Sequence, residues 1–187
     1  MSDGPLYHGL LIAGFGGQGV VLGGKLIAAA ALMEGRQVLW APSYGPEMRG
    51  GAVHCTVIIS SERIGSPEIS LADSLLLMDR ASVARFAHRI KPGGMVVLNS
   101  SLIVDGPNAN DCQVVRVAAS GIAEEMGDVR IANVIMLGAF LSQQPIVSPP
   151  TLEEAIRTVG EEAGSKPEVI ELNIEAFARG MAEGRGA

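Results

Sequence analysis

The chain has 187 residues, with 20 acidic and 14 basic side chains and a net charge of −6. This length fits one ordinary domain, and the acidic balance argues against a nucleic-acid-binding protein or a polybasic membrane-surface protein. Hydrophobic residues make up 48% and charged residues 18% of the chain, which excludes a disordered protein and allows a large core.

No segment of the sequence is predicted to cross a membrane or to direct secretion. The longest apolar stretch, residues 20–33, is interrupted by Lys25 and is shorter than the roughly 20 residues that span a bilayer. The N-terminus lacks the basic residues of a signal peptide. Two cysteines, Cys55 and Cys112, are too few for an iron–sulfur cluster or a structural zinc site. We therefore expect a cytoplasmic protein with free thiols that binds no metal by itself.

The first part of the chain is predicted to form a strand–loop–helix–strand unit. Residues 7–13 are an apolar run typical of a buried strand, and residues 14–19 are a glycine-rich loop. Residues 20–33 carry apolar side chains at helical spacing and end before Gly35, a helix C-cap. A second strand follows at residues 37–41. The order and length are those of a βαβ unit with a right-handed crossover.

The rest of the chain continues to alternate between strands and helices. Asp79 is predicted to be a helix N-cap and residues 91–94 a turn, while Thr151 and Glu154 form a predicted capping box after a break at Pro149-Pro150. Further strands are predicted at residues 53–60, 74–79, 95–99 and 113–117. Further helices are predicted at residues 80–90, 119–126, 132–141, 151–163 and 173–182, followed by a flexible tail at residues 184–187. These elements predict a single Rossmann-like α/β domain with three layers and a mostly parallel sheet.

The glycine-rich loop has the pattern of a phosphate-binding turn. Gly14, Gly16 and Gly19 match G-x-G-x-x-G between a strand and a helix, where glycine permits a tight turn and the helix start attracts an anion. A dinucleotide site would also need an Asp or Glu at the end of the second strand. The first carboxylate there is Glu47, which lies inside the next loop. Three interpretations stay open, namely close helix packing, a phosphate-bearing ligand, or a group from a partner.

A second loop, residues 42–51 (PSYGPEMRGG), is too rich in Pro and Gly to be regular. Because both loops follow strand ends, we expect them to meet at one edge of the sheet and to line a common crevice. Arg49 would then bind a carboxylate or phosphate with two hydrogen bonds, and Tyr44 and Gln18 would donate hydrogen bonds. The alternative is a simple ion pair between Glu47 and Arg49, with loops that only pack between subunits.

Four segments of the chain resemble one known family, the gamma subunits of 2-oxoacid:ferredoxin oxidoreductases. They are GFGGQGVVLGGKLIAAAAL at residues 14–32, PSYGPEMRGGAVHCTVIIS at residues 42–60, NVIMLGAF at residues 133–140, and NIEAF at residues 173–177. The resemblance covers nearly the whole chain. The SYGPE segment is more similar to the 2-oxoglutarate and branched-chain types than to the indolepyruvate type.

This resemblance implies a multisubunit enzyme that oxidatively decarboxylates a 2-oxoacid, transfers the acyl group to coenzyme A and reduces ferredoxin. It also implies that partner alpha, beta and ferredoxin-like delta subunits hold thiamine diphosphate, Mg²⁺ and iron–sulfur clusters, and that this chain is not active alone. The sequence lacks a Gly-Asp-Gly thiamine diphosphate motif.

We expect the chain to shape the junction with the thiamine diphosphate-bearing subunits. Asn133, at the start of a predicted buried helix, is either a cap or a crevice contact. The alternatives are a free-standing phosphate- or nucleotide-binding domain and a scaffold without a ligand. The residues expected at the ligand or partner site are Gly14, Gly16, Gly17, Gln18, Gly19, Ser43, Tyr44, Gly45, Pro46, Glu47, Arg49, Gly50, Gly51 and Asn133.

Overall fold

A computed structural model describes residues 6–44, 51–106 and 112–186 of the chain. The strands in these ranges are β1 (Tyr7–Phe15), β2 (Gln37–Tyr44), β3 (Ala52–Ser60), β4 (Ala72–Leu77), β5 (Ile90–Asn99) and β6 (Gln113–Val117). The α-helices are α1 (Val20–Met33), α2 (Arg80–Phe86), α3 (Ala119–Glu125), α4 (Ala132–Gln143), α5 (Pro149–Glu162) and α6 (Pro167–Arg185). Short 3₁₀ turns at Ala87–Arg89 and Val129–Ile131 follow α2 and precede α4. None of these helices is both long enough and apolar enough to span a membrane.

The strands form one sheet in the order β2-β3-β1-β4-β5-β6. Strand β3 runs antiparallel to both of its neighbours, while β1, β4, β5 and β6 pair in parallel. The predicted α/β domain with a mostly parallel sheet is therefore confirmed. The predicted β1-α1-β2 unit is present, but β3 lies between its two strands, because the chain turns back after β2 and pairs with β1 as well.

The two faces of the sheet are covered unequally. One face, which we call the thick face, is marked by Leu10, Ile12 and Val57, and its core includes side chains from α1, α3, α4, α5 and α6. The opposite thin face is marked by Leu11 and Ala13, and of the described helices only α2 contributes to its core, through Phe86. Within the described ranges, the second helical layer is therefore one short α-helix with the segments that flank it.

Helices α4 and α6 lie close together on the thick face because glycine stands where they cross. A Cβ on Gly138 would lie 2.8 Å from the backbone nitrogen of Met181, and a Cβ on Gly180 would lie 2.8 Å from the carbonyl carbon of Ile135. Real Cβ atoms do not approach backbone so closely, so only glycine allows this separation between the helix axes.

Several strands are longer than the sequence predicted. Strand β2 continues through Pro42 to Tyr44, although residues 42–51 were expected to be irregular, because an edge strand can place the proline nitrogen away from its partner. Residues 91–94 were expected to form a turn, but they lie within β5. The register shifts there between β4 and β5, and Gly93 has a φ of +74°, so the glycines form an irregularity in the strand.

Helix boundaries in the C-terminal part also differ from the prediction. Helix α5 begins at Pro149, and its N-cap is Ser148, whose Oγ accepts a hydrogen bond from the Thr151 N–H at 3.3 Å. The predicted capping box at Thr151 is therefore wrong, because proline fits the first helical turn, where its missing N–H would have no partner. Helix α6 extends over Pro167–Arg185, so residues 184 and 185 are helical and not a tail. The predicted N-cap at Asp79 is confirmed, since it accepts the Ser82 N–H at 2.8 Å.

Replacing Gly138 by alanine is predicted to destabilise the fold. The added methyl group would have to push the α6 backbone away, and overpacking of this kind costs about 1–3 kcal/mol or more. Urea denaturation of G138A should show this loss in the free energy of unfolding. G65A is the matched control, since no atom lies within 4 Å of a Cβ at Gly65. An unfolding midpoint of G138A equal to that of G65A would contradict the account of this crossing.

His8 is predicted to make stability depend on pH. Its side chain is 4% exposed, its ring lies 6.0 Å from that of Phe140, and its Nε2 has no partner among the described residues. Burial lowers the pKa of His8 to about 4, Asp73 raises it, and Lys91 lowers it further. Because the unfolded chain takes up a proton near pH 6.5 and the folded chain does not, stability is highest above pH 6.5 and falls towards pH 4.

The loss between pH 6.5 and pH 4 should reach about 3 kcal/mol from this residue alone, since one pKa unit corresponds to about 1.36 kcal/mol. H8Q cannot bind the proton, so its free energy of unfolding should fall less over this range than that of the wild type. H88Q, at an exposed histidine, is the control and should follow the wild type. Parallel pH profiles for all three proteins would show that His8 does not carry the effect.

Candidate functional site

The two predicted loops are brought together by the pairing of β1 with β3. Phe15 at the end of β1 lies opposite Ala52 at the start of β3. Beyond this pair, the Gly16 N–H donates a hydrogen bond to the Gly51 carbonyl at 3.1 Å. The end of β2 is adjacent, because Tyr44 also pairs with Val53 of β3. Both loops therefore begin or end at one edge of the sheet, where β1, β2, β4 and β5 have their carboxyl ends.

Part of the second loop lies outside the described residues. Ser43 and Tyr44 form the end of β2, Ser43 is exposed, and Gly51 is buried where the chain enters β3. The remaining predicted site residues of this loop fall outside the described ranges, namely Gly45, Pro46, Glu47, Arg49 and Gly50.

Gln18 braces the glycine-rich loop from within. Its Oε1 accepts the Phe15 N–H at 3.0 Å, and its Nε2 donates to the Met78 carbonyl over a long distance of 3.5 Å. Gly14 leaves room for this side chain, since a Cβ there would clash with Oε1 of Gln18 and would also lie 2.9 Å from the Cβ of Met78. Gln18 was expected to donate a hydrogen bond to a ligand, and in the structure its amide is used to connect the ends of β1 and β4.

Asn133 holds the other end of the same loop. Its Nδ2 donates to the Gly19 carbonyl at 3.1 Å, and it is 2% exposed. A Cβ on Gly19 would lie 2.7 Å from Cγ of Asn133. Gly17 and Gly19 have φ angles of +109° and +73°, which other residues rarely adopt. Asn133 thus fixes a left-handed turn directly before α1, and its Oδ1 has no partner within the described residues.

The start of α1 offers free backbone donors beside this turn. Gly19 is the N-cap and supplies no side chain to bind the first N–H groups of the helix. The N–H groups of the first helical turn have no acceptor within the helix, and the helix dipole adds a partial positive charge. This end of α1 therefore suits an anion or a carbonyl oxygen from a ligand or a partner chain.

A crevice of about 260 Å³ opens between the end of β1 and the start of α2. In the sheet, β2 and β3 lie on one side of β1, and β4, β5 and β6 lie on the other. The crevice is therefore at the point where the strand order reverses, and ligands of open α/β sheets usually bind at such a point. Asp79 lines this crevice, but its carboxylate already accepts the Ser82 N–H as the N-cap of α2. The lining residues are Gly14, Phe15, Ala52, Asp79, Ala81, Ser82, Arg85 and Phe86.

Strand order disfavours a classical dinucleotide site at this crevice. In such sites the ribose carboxylate stands at the end of the strand next to β1. Here β3 separates β2 from β1, so the ends of β1 and β2 are two strand spacings apart, about 10 Å. The described end of β2, residues 41–44, also carries no carboxylate.

Reactive side chains near this edge are unsuited to nucleophilic catalysis. Cys55 is fully buried, and burial raises the pKa of its thiol to about 12. His54 lies on the thin face with its ring 4.9 Å from that of Phe86, and burial, with Arg85 and Arg89, lowers the pKa of His54. The two neighbours belong to opposite faces of the sheet and do not form a dyad. Among the residues that the structure describes, no three His, Cys, Asp or Glu side chains are grouped to hold a metal ion.

Sequence reasoning missed Arg85 and Asn99. Asn99 ends β5, and its Nδ2 donates to the Met78 carbonyl at 3.2 Å and to Oγ of Ser120 at 2.8 Å, which ties β4, β5 and α3 together at the site edge. The signal for Asn99 was its place at the carboxyl end of a predicted strand. The only feature of the sequence that pointed to Arg85 was the absence of Asp and Glu from residues 80–91.

Replacing Asn133 by alanine is predicted to loosen the glycine-rich loop. The Gly19 carbonyl would keep the hydrogen bond from the Gly23 N–H at 2.8 Å but would lose the one from Asn133. A hydrogen bond of this kind contributes about 0.5–1.5 kcal/mol. Amide hydrogen exchange at residues 16–19 should become faster in N133A. N173A is the control, because the Nδ2 of Asn173 bonds the Val169 carbonyl on the exposed side of α6. Unchanged exchange at residues 16–19 in N133A would mean that Asn133 does not hold this turn.

The chain matches the pyruvate ferredoxin/flavodoxin oxidoreductase family over residues 9–183. It is 37% identical over 170 residues to ketoisovalerate oxidoreductase subunit VorA of Methanothermobacter marburgensis. That match covers 90% of this chain and 35% of VorA, so the chain spans about a third of this relative. It is also 34% identical to the 2-oxoglutarate synthase subunit KorC of the same organism, with 90% of this chain and 92% of KorC covered.

Two solved structures share the fold. The keto/oxoacid ferredoxin oxidoreductase gamma subunit from Geobacter sulfurreducens has a TM-score of 0.84 and 28% identity, with 97% of this chain and 98% of that chain covered. The 2-oxoglutarate:ferredoxin oxidoreductase from Magnetococcus marinus, solved with 2-oxoglutarate, coenzyme A and succinyl-CoA bound, has a TM-score of 0.86 and 26% identity. This second match covers 97% of this chain and 31% of that one.

Proposed function

The chain belongs to the pyruvate ferredoxin/flavodoxin oxidoreductase family, and we propose that it works as the gamma subunit of a 2-oxoacid:ferredoxin oxidoreductase. The assembled enzyme converts a 2-oxoacid and coenzyme A into an acyl-CoA and CO₂. The two electrons released pass to two oxidised ferredoxins, and one proton is released. Similarity to KorC over nearly the full length of both chains supports this assignment.

The 2-oxoacid is 2-oxoglutarate or a branched-chain acid in this proposal. The relatives named for these two substrates have identities of 34% and 37% to the chain, and a subunit named for indolepyruvate has 27%. This ranking of identities agrees with the second loop, whose SYGPE segment is also more similar to the 2-oxoglutarate and branched-chain types than to the indolepyruvate type.

The residues of this chain do not fit the cofactors that the reaction needs. The sequence has no Gly-Asp-Gly motif for Mg²⁺ and thiamine diphosphate, and its two cysteines cannot ligate an iron–sulfur cluster. Alpha, beta and ferredoxin-like delta subunits therefore hold thiamine diphosphate, Mg²⁺ and the clusters. No step of the decarboxylation is assigned to a side chain described here.

The contribution of this chain is to shape the junction with the thiamine diphosphate-bearing subunits and the approach of coenzyme A. The observation that carries this proposal is the Gly16–Gly51 hydrogen bond, which joins both loops beside the free N–H groups of α1. Backbone donors and the side chain of Arg49 suit a phosphate or carboxylate. A fixed turn also suits contact with a partner subunit, because the turn loses little conformational entropy when the partner binds.

Arg49 gives a direct test of this role in the reassembled complex. We expect R49A to raise the KM for coenzyme A or for the 2-oxoacid by roughly 10- to 100-fold, since a charge-assisted hydrogen bond contributes about 1.5–3 kcal/mol. Initial rates of ferredoxin reduction, with each substrate varied in turn, measure both constants. R63A removes an exposed arginine that makes no hydrogen bond to the described residues and should leave them unchanged.

Two results would contradict the proposal at different levels. Normal kinetics for R49A would remove Arg49 from the site while leaving the subunit assignment in place. Full activity of alpha, beta and delta subunits without this chain, or turnover by this chain alone, would overturn the assignment itself.

A further inference from the structure

Residues 80–91 form a strongly basic segment in an acidic chain. They contain four of the 14 basic residues, Arg80, Arg85, Arg89 and Lys91, and none of the 20 acidic ones. The segment comprises α2, the following 3₁₀ turn and the first residues of β5. Its charge is therefore opposite to that of the whole protein.

Two of these cations bind oxygen atoms within the fold. The other two bind no oxygen atom of the described residues, although the guanidinium of Arg85 lies 5.3 Å from the centre of the Phe86 ring. Lys91 pairs with Asp73 at 2.7 Å, and Arg89 donates to the Ile69 and Ser70 carbonyls. Arg80 and Arg85 are exposed, and neither makes an ion pair with a carboxylate in the described ranges. Unpaired arginines on one short helix leave a positive surface that a partner can neutralise.

One of these two cations, Arg85, lies beside a crevice with an exposed aromatic ring. Arg85 lines the crevice described above, and Phe15 on its opposite side is 43% exposed. Burial lowers the pKa of His54, and the charges of Arg85 and Arg89 lower it further. An arginine and an aromatic ring at the mouth of a crevice are the residue types that dominate binding in protein interfaces.

We propose that this basic strip, made of Arg80 and Arg85 with Phe15 as an apolar anchor, docks an Asp- and Glu-rich surface of another protein. Arg80 and Arg85 are five residues apart on α2, which separates them by about 7.5 Å of helical rise and about 140° of rotation, so their guanidinium groups do not converge on one phosphate. Separate carboxylates can pair with each of them, and the planar guanidinium binds carboxylate with two hydrogen bonds. Complementary charge of this kind speeds association and excludes basic partners.

The inference is independent of the proposed enzyme assignment, because it concerns the thin face and the charge of α2. It also supplies its own reporter. Carboxylates that dock on the strip would offset the field of Arg85 and Arg89 at His54, so we expect the pKa of His54 to rise on binding. A purely solvated charge run would leave that pKa unchanged.

The test is a nuclear magnetic resonance titration of the full chain at low salt, with poly-L-glutamate as the probe. We expect shifts confined to residues 15, 52–54 and 80–91, a rise in the pKa of His54, and weakening of binding as salt is added. R80Q/R85Q should weaken binding at least tenfold while keeping the spectrum of a folded protein. R157Q/R179Q is the matched control, since these arginines are on α5 and α6, where each pairs with a glutamate.

Three outcomes would overturn the proposal. Poly-L-lysine that causes the same shifts would show that charge is not recognised. R80Q/R85Q that binds as well as R157Q/R179Q would place the contact elsewhere. Saturable binding of inorganic pyrophosphate at Arg85, without binding of poly-L-glutamate, would identify a phosphate ligand instead of an acidic protein.

Discussion

The site depends on the insertion of β3 between β1 and β2. If β2 paired directly with β1, β3 could not lie between them. The residues that follow the second loop would then not pair with β1 beside the glycine-rich loop. Because β3 runs antiparallel, its first residue lies opposite the last residue of β1, and the Gly16 N–H reaches the Gly51 carbonyl. One reversal of strand direction therefore joins two loops that are separated by the whole of α1 and β2 in the sequence.

The glycine-rich loop is fixed by one of its own side chains and by one from a distant part of the chain. Gln18 connects it to Met78 after β4, and Asn133 connects it to the start of α4. The amide nitrogens of both side chains hold the loop in place, and this leaves backbone donors as the N–H groups with which α1 can bind. A site of this kind recognises the shape and charge of what it binds, whereas the chemistry that alters a substrate has to come from partner subunits.

Much of the fold could be predicted because its signals are local. Helix α1 and strand β6 have the predicted bounds, and Asp79 caps α2 as expected. Several of the strand and helix ends that were wrong involve Pro42, Pro149 and Gly93, each of which normally ends an element. Here Pro42 is on an edge strand, Pro149 is in the first turn of a helix, and Gly93 is at a register shift, and these are contexts that only the assembled sheet defines.

The site was less predictable than the fold because its contacts span long sequence distances. The glycine pattern indicated the loop, yet nothing in the local sequence showed that β3 would separate β2 from β1, or that Gln18 would turn inward. Asn99 and Arg85 lie near the site only because β4 pairs in parallel with β1 and β5 pairs in parallel with β4. The order of the strands in the sheet determines these contacts. That order depends on packing between residues far apart in the sequence, so local sequence patterns do not reveal it.

We infer that the edge formed by both loops contacts the partner subunits. Hydrogen exchange of this chain, measured free and in the assembled complex, is the experiment that decides this. We expect slower exchange at residues 14–22 and 51–54 on assembly, with little change along the outer faces of α5 and α6. Slower exchange confined to α5 and α6, with the loop edge unaffected, would contradict it.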